Sequence, residues 1–237
     1  MIKNINYKSL FPKKYYKKNE EKKILARFKR EYEKILENVD KPNNIFYMLN
    51  KKFHYNFKQK ELGQFKKYKN IIIIGMGGSI LGAETIYQFL KKKIKKNVTF
   101  LDNIDFEKIE TLKKKINNKD YLFLVISKSG NTVETISNLF YLNIIKKNSK
   151  NIIIISEKNN NFLLSIAKKY NLFFIEHKNY IGGRYSVLSE VGMIPAIMLG
   201  ANIQNIRKNI SKHLLANQQD ILKNNVIKLA SFIKKKI

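Results

Sequence analysis

Three short polar stretches hold the residues able to do chemistry. The first is Gly75-Met76-Gly77-Gly78-Ser79, which follows four isoleucines. The second is Ser127-Lys128-Ser129-Gly130-Asn131-Thr132, continued by Val133-Glu134-Thr135. The third is Gly182-Gly183-Arg184-Tyr185-Ser186. Glycines let a backbone turn sharply and approach a ligand closely. Where such a turn opens a helix, unpaired N–H groups and the positive end of the helix dipole face into it. The natural occupant is an anion, most often a phosphate. Ser79 brings a hydroxyl to the first turn. Ser127, Ser129 and Thr132 bring hydroxyls to the second, and Lys128 brings a point charge. Arg184 is one of only four arginines among 47 basic residues. Its guanidinium suits an oxygen that becomes negative during a reaction.

Each stretch also has a plainer reading. The first set of glycines also reads as a plain tight strand–helix turn, although Ser79 among the free N–H groups of a helix start favours a functional one. Asn131 and Glu134 have the spacing of a capping pair, which leaves Ser127-Lys128-Ser129 unaccounted for. Arg184 is able to pair with Glu176 or Glu190. Nucleotide fingerprints fit less well. The first turn lacks the Gly-Lys-Ser/Thr ending of a P-loop. Ile80 stands where a dinucleotide site has its third glycine or alanine, although Asp102 is placed like the ribose-binding acid.

The elements that must position these residues follow from the apolar pattern. Apolar runs at 71–74, 98–101, 121–127, 152–156 and 172–175 read as strands. Helical segments fall between them at 80–92, 106–116, 133–147 and 161–170, with Asp105 as N-cap of the second. This alternation predicts an α/β fold: a three-layer αβα sandwich with a five-stranded parallel sheet over residues 51–200. Ligands of such sheets bind beyond the carboxyl ends of the strands, where all three polar stretches lie. Residues 1–50 read as an N-terminal helical arm. It comprises a lysine-rich lead, a helix over 20–37 stopped by Asp40-Lys41-Pro42-Asn43, and a short helix at 45–50. After the third stretch, helices are predicted at 189–198, 203–215 and 219–235. Residues 201–237 read as a helical linker and the start of a second domain.

Composition narrows the classes. A hydrophobic fraction of 44% with 12% aromatics supports a packed core. There is no cysteine, which excludes disulfides, thiolate metal sites and a cysteine nucleophile. His54, His177 and His213 are too scattered for a histidine-rich metal site. No run is long enough to span a bilayer, and the amino terminus lacks the apolar core of a secretion signal. A cytoplasmic protein with no membrane partner is expected. The net charge of +29 invites a nucleic-acid reading. The basic residues are spread end to end, however, and are nearly all lysine, whereas nucleic-acid surfaces favour the arginine fork. No nucleic-acid partner is expected; the positive field helps to attract an anionic metabolite.

In this order and spacing, GMGGSILG, SKSGNTVET and GGRYSVLSEVGMIPA resemble the loops of the glucose-6-phosphate isomerase family. The resemblance covers about residues 45–237. The first two motifs also fit the wider sugar isomerase domain; the third is specific to the glucose-6-phosphate branch. The resemblance implies interconversion of glucose 6-phosphate and fructose 6-phosphate through a cis-enediolate, without cofactor or metal. By position it implies that Ser127, Lys128, Ser129 and Thr132 hold the phosphate. Gly78 and Ser79 would contact the sugar, and Arg184 would stabilise the enediolate. Gly130 and Asn131 depart from residues common in the family at those positions. The resemblance further implies two sugar isomerase domains and a homodimer in the complete enzyme.

Moving a proton between adjacent carbons also needs a positioned base. The family's glutamate for that step, and its ring-opening histidine and lysine, sit in motifs not found before Ile237. Neither His177 nor His213 matches, and no spacing singles out Glu134, Glu157, Glu176 or Glu190. The expectation is therefore the N-terminal half of such an enzyme, with little activity alone. The alternative is a non-catalytic sugar-phosphate-binding module.

Overall fold

A computed structural model of the chain describes residues 18–116, 120–210 and 219–234. They fall into two compact units, Lys52–Arg207 and the two terminal segments up to Lys51 and from Lys208.

The larger unit is built on strands β1 (Asn70–Gly75), β2 (Asn97–Leu101), β3 (Tyr121–Ile126), β4 (Ile152–Ser156) and β5 (Phe173–Glu176). All pairs are parallel, in the order β2-β1-β3-β4-β5. Isoleucine runs make these strands because both faces are covered, so consecutive side chains are buried. Ile71 and Ile73 enter one core with Leu122, Leu124 and Ile153. Ile72 and Ile74 enter the opposite core with Phe123, Val125 and Ile154. Helices α2 (Gly78–Leu90) and α6 (Glu190–Met198) close the first face through Ile80, Ala83 and Val191 to Met198. Helices α3 (Phe106–Lys115), α4 (Val133–Tyr141) and α5 (Phe162–Tyr170) close the second through Ile109, Leu139 and Leu163. This is the expected αβα sandwich.

Several helix limits differ from the sequence reading, among them those of α2 and α4. Helix α2 starts at Gly78, not Ile80, because Gly77 at φ 50° turns the chain and its carbonyl receives the N–H groups of Ile80 and Leu81. Helix α4 stops at Tyr141, well short of 147. Asn143 takes φ 51° and its N–H bonds back to Phe140 O at 2.9 Å, which ends the helical ladder. Asp105 caps α3 as expected, accepting from Lys108 N at 3.0 Å. After α6 a short helix, α7 (Ile203–Arg207), belongs to the same unit. The helix expected over 203–215 stops at Arg207, where residues 208 and 209 form a turn; residues 211–215 lie outside the described residues. So does the lysine-rich lead up to residue 17.

In the smaller unit, α1 (Lys18–Val39) packs against the last helix, α8 (Gln219–Lys234). Tyr32 is buried and stacks on Phe28 at 5.6 Å between centroids. A single-turn helix, Ile45–Leu49, is capped by Asn44, which accepts from Phe46 N. Asn50 ties it to the end of α1 through Asp40 and the carbonyl of Val39. Among the described residues no helix is long and apolar enough to cross a membrane.

Candidate functional site

The sheet runs outward in opposite directions from β1, with β2 on one side and β3 on the other. A doubly wound sheet opens a crevice at the carboxyl ends of two such strands. Gly75 pairs with Ile126 in register, so the turns after β1 and β3 start side by side. The register thus brings the first two polar stretches to one place.

The Ser127–Thr132 turn is organised by its hydroxyls. Ser127 is buried, with its Oγ 2.8 Å from Thr132 Oγ1; Ser129 Oγ lies 3.5 Å from the same atom and accepts from Asn131 N. Thr132 is the N-cap of α4 but makes no side-chain cap. The first-turn N–H groups of α4 are therefore left without a side-chain acceptor, as an anion would require. The expected Asn131–Glu134 capping pair is not formed. Asn131 instead accepts from Phe162 N at 2.9 Å, at the start of α5, where Asn161 caps Leu164 N. The reason is Gly130. It takes φ 67°, and a Cβ there would lie 1.9 Å from Asn161 Oδ1. The turn is pressed onto the head of α5, and Asn131 finds its partner there.

Lys128 is not a free point charge. Its Nζ donates to Asn179 O at 2.8 Å and pairs with Glu157 at 3.4 Å. It tethers the segment after β5, which leads to the arginine turn.

That turn is a 3-10 helix, Gly183–Leu188, lying against the first turn of α2. A Cβ on Gly78 would meet Gly183 C and O at 2.3 Å and Arg184 N at 2.6 Å. Gly78, expected to touch a sugar, therefore also permits backbone contact with the arginine turn. Ser186 is buried there, its Oγ 2.6 Å from Gly183 O and 3.2 Å from Gly78 O. Arg184 is exposed, and neither Glu176 nor Glu190 pairs with it, nor does any other acid among the described residues. Glu190 is fully buried and binds Lys178 Nζ at 3.2 Å and Asn56 N at 2.9 Å. The guanidinium is left for an external anion. The hydroxyl of Ser79 likewise takes no partner among the described residues.

Ser186, Asn161 and the Lys178–Glu190 pair escape the sequence reading. Only Ser186 left a signal, as a small polar residue inside the third stretch. Of the four candidate carboxylates, Glu157 and Glu190 are held in ion pairs.

His177 is also buried at this end of the sheet, with Nε2 donating to Ile181 O at 3.1 Å and Nδ1 without a partner. Burial first, and then the positive charge of Lys128, push the imidazole down from 6.5 to about 4. The folded value lies below the unfolded one. The neutral ring therefore contributes its stability fully above pH 6.5, and this is lost as pH falls through about 4. By about pH 5 the loss should reach roughly 2 kcal/mol. Urea midpoints near pH 7.5 and pH 5 should show that difference in the parent chain and much less of it in His177→Gln. Equal acid sensitivity of the two would contradict the assignment.

Comparison with known proteins gives these positions a context. The phosphoglucose isomerase family matches residues 37–233. Glucose-6-phosphate isomerase of Methanocaldococcus jannaschii is 36% identical over 160 residues, 66% of this chain and 40% of that protein. The Borreliella afzelii enzyme of the same name is 35% identical over 211 residues, 75% of this chain and 39% of that protein. The chain thus spans about 40% of the length of the curated relatives it matches. Among solved structures, a hypothetical protein from Thermus thermophilus superimposes with a TM-score of 0.65 at 20% identity. That match covers 92% of this chain and 55% of that one. A glucose-6-phosphate isomerase from Chlamydia trachomatis gives 0.54 at 24% identity, covering 66% and 32%. At these identities the superpositions speak for the fold.

Proposed function

We propose, from the premise that this chain belongs to the phosphoglucose isomerase family, that it supplies the phosphate and arginine part of a site interconverting glucose 6-phosphate and fructose 6-phosphate. One observation carries the reading. The uncapped start of α4, ringed by Ser127, Ser129 and Thr132, adjoins the first turn of α2, which touches the turn bearing an unpaired Arg184. A phosphate in the α4 turn would be held by N–H groups and hydroxyls. The sugar would then reach toward Gly78 and Ser79. Arg184 would stabilise the negative oxygen of a cis-enediolate, where a preorganised cation acts most strongly. This chemistry asks for neither cofactor nor metal. No group in the described residues is assigned the proton transfer. A homodimeric, cytoplasmic complete enzyme belongs to the same reading and rests on the family alone.

Ligand linkage tests it. Fructose 6-phosphate at about ten times its Kd should stabilise the chain by about 1.4 kcal/mol, a rise of a few degrees in melting temperature. Ser129→Ala with Thr132→Val should abolish the rise. Lys128→Ala should weaken it less, because the ammonium is engaged by Asn179 and Glu157. No rise at millimolar fructose 6-phosphate would sink the reading.

A further inference from the structure

Two glycines stand directly ahead of Arg184, and Gly182 and Gly183 bring no side chain by which to hold the chain. The anchor on that side is the residue before them. Ile181 is fully buried, and its carbonyl accepts from His177 Nε2 at 3.1 Å. No other donor reaches that carbonyl among the described residues. The ring in turn stands on the sheet. His177 follows β5 directly, and its N–H donates to Ser156 O of β4 at 2.8 Å. Between His177 and the glycines, Ile181 N closes a turn onto Lys178 O at 3.1 Å. At the far end of the arginine turn, Leu188 O accepts from Tyr55 Oη at 3.2 Å and from Arg207 Nη1 at 3.3 Å. Side-chain donors thus hold the carbonyls on both flanks of residues 182–187.

A buried carbonyl left without a donor is costly. Removing the ring's donor therefore drives Ile181 toward water and moves the chain that follows it. Only one tautomer serves. With the proton on Nε2 the bond to Ile181 O is made; with it on Nδ1, a buried N–H would face no acceptor. Burial first, then the ammonium of Lys128 and that of Lys178, oppose a second proton on the ring. We propose that His177, as the neutral Nε2–H tautomer, is the positioning residue that sets Gly182–Arg184 against the first turn of α2, and with them the place of the Arg184 guanidinium. The inference deepens the isomerase reading and rests on it for what Arg184 does, whereas the hold on the turn stands without it. Lys128 reaches the same segment through Asn179 O at 2.8 Å. The loop that would carry the phosphate and the loop that carries the arginine thus share one brace.

The full 237-residue chain allows a direct test. Nitrogen resonances of the His177 ring should show the proton on Nε2. Glutamine can place an amide N–H where Nε2 stands, whereas asparagine reaches only as far as Nδ1. His177→Asn should therefore shift the backbone amides of residues 182–186 in the ligand-free chain and speed their hydrogen exchange. His177→Gln should leave them close to the parent. Two anions separate the loops. The sugar acid 6-phosphogluconate carries a carboxylate at the end where the enediolate would form, and so reports on Arg184. Inorganic phosphate reports on the Ser127–Thr132 turn alone. His177→Asn should weaken 6-phosphogluconate about tenfold, the loss of a charge-assisted contact, and leave inorganic phosphate unchanged. His177→Gln should keep the parent affinity for both. A proton on Nδ1, or equal effects of the two substitutions on the amides, would overturn the proposal, as would equal weakening of both anions. If the parent chain binds neither anion, the isomerase reading fails, and the amides still decide what holds the turn. Should His177→Asn not fold, the ring resonances and His177→Gln remain decisive.

Discussion

Gly78→Ala should destabilise the chain by roughly 3 kcal/mol and displace the arginine turn. The added methyl would sit 2.3 Å from both C and O of Gly183 and 2.6 Å from Arg184 N. All three are backbone atoms, so no flexible side-chain end can move aside. The turn is also fixed from within, by Ser186 Oγ near Gly183 O and by Ser189 Oγ, which donates to Ser186 O at 2.7 Å. Relief must come from shifting residues 183–188 as a body or from tilting the first turn of α2. Either breaks the close approach of Gly78 to the backbone of Gly183 and Arg184. Gly183→Ala is the matched control, since its Cβ would meet only Gly78 Cα at 3.9 Å, an ordinary contact. Urea denaturation of the two variants should separate them by at least about 2 kcal/mol. Equal midpoints would show that the approach of the two turns is not as close as described. A Gly78→Ala chain that folds should also lose most of its stabilisation by fructose 6-phosphate.

The contrast between those two glycines marks what the sequence could and could not disclose. Gly78 stood out as a residue facing a ligand because it lies in a glycine turn after a buried strand. Its second duty, making room for a backbone more than 100 residues away, has no local signature. The sheet was legible for a simpler reason. The two runs of four isoleucines can hardly be anything but strands covered on both faces, and the alternation of apolar runs with helices dictates parallel order. Helix limits were less legible where asparagine decided them. Asn143 and Asn148 take left-handed backbone, which residue type permits but does not demand. At Asn131 the capping pattern was real, but the partner was chosen by a close approach of Gly130 to Asn161 that only the fold creates. Arg184 posed the opposite problem. Two acids close in sequence invited a pairing, and the fold gave Glu190 to Lys178 instead.

That buried pair sets the other large effect. Glu190→Ala should cost about 3–5 kcal/mol, the usual penalty for leaving a buried charge without its partner. The carboxylate is fully buried, and the Lys178 side chain is only 14% exposed. Oε1 serves two donors at once, Lys178 Nζ and Asn56 N, the latter 134 residues away in sequence. Removing it orphans an ammonium and an amide in the same pocket. Lys178 would keep Asn56 Oδ1 at 2.5 Å and the Phe53 ring at 5.4 Å, which soften the loss without replacing the charge. Removing both charges with shape retained is a different matter. Glu190→Leu with Lys178→Met should be less damaging than the sum of the single changes, because neither side chain is then left with an unmet partner. A four-chain urea series gives the coupling directly, expected at about 2 kcal/mol or more. Additive losses would mean that the pair is not the unit holding this corner. The geometry also bears on chemistry. Glu190 opens α6 directly behind the arginine turn, yet one oxygen is committed to Lys178 and Asn56 and the other is buried without a partner. A carboxylate so enclosed anchors the start of α6 to the segment after β5 through Lys178 and to Asn56, rather than serving as a free acid or base.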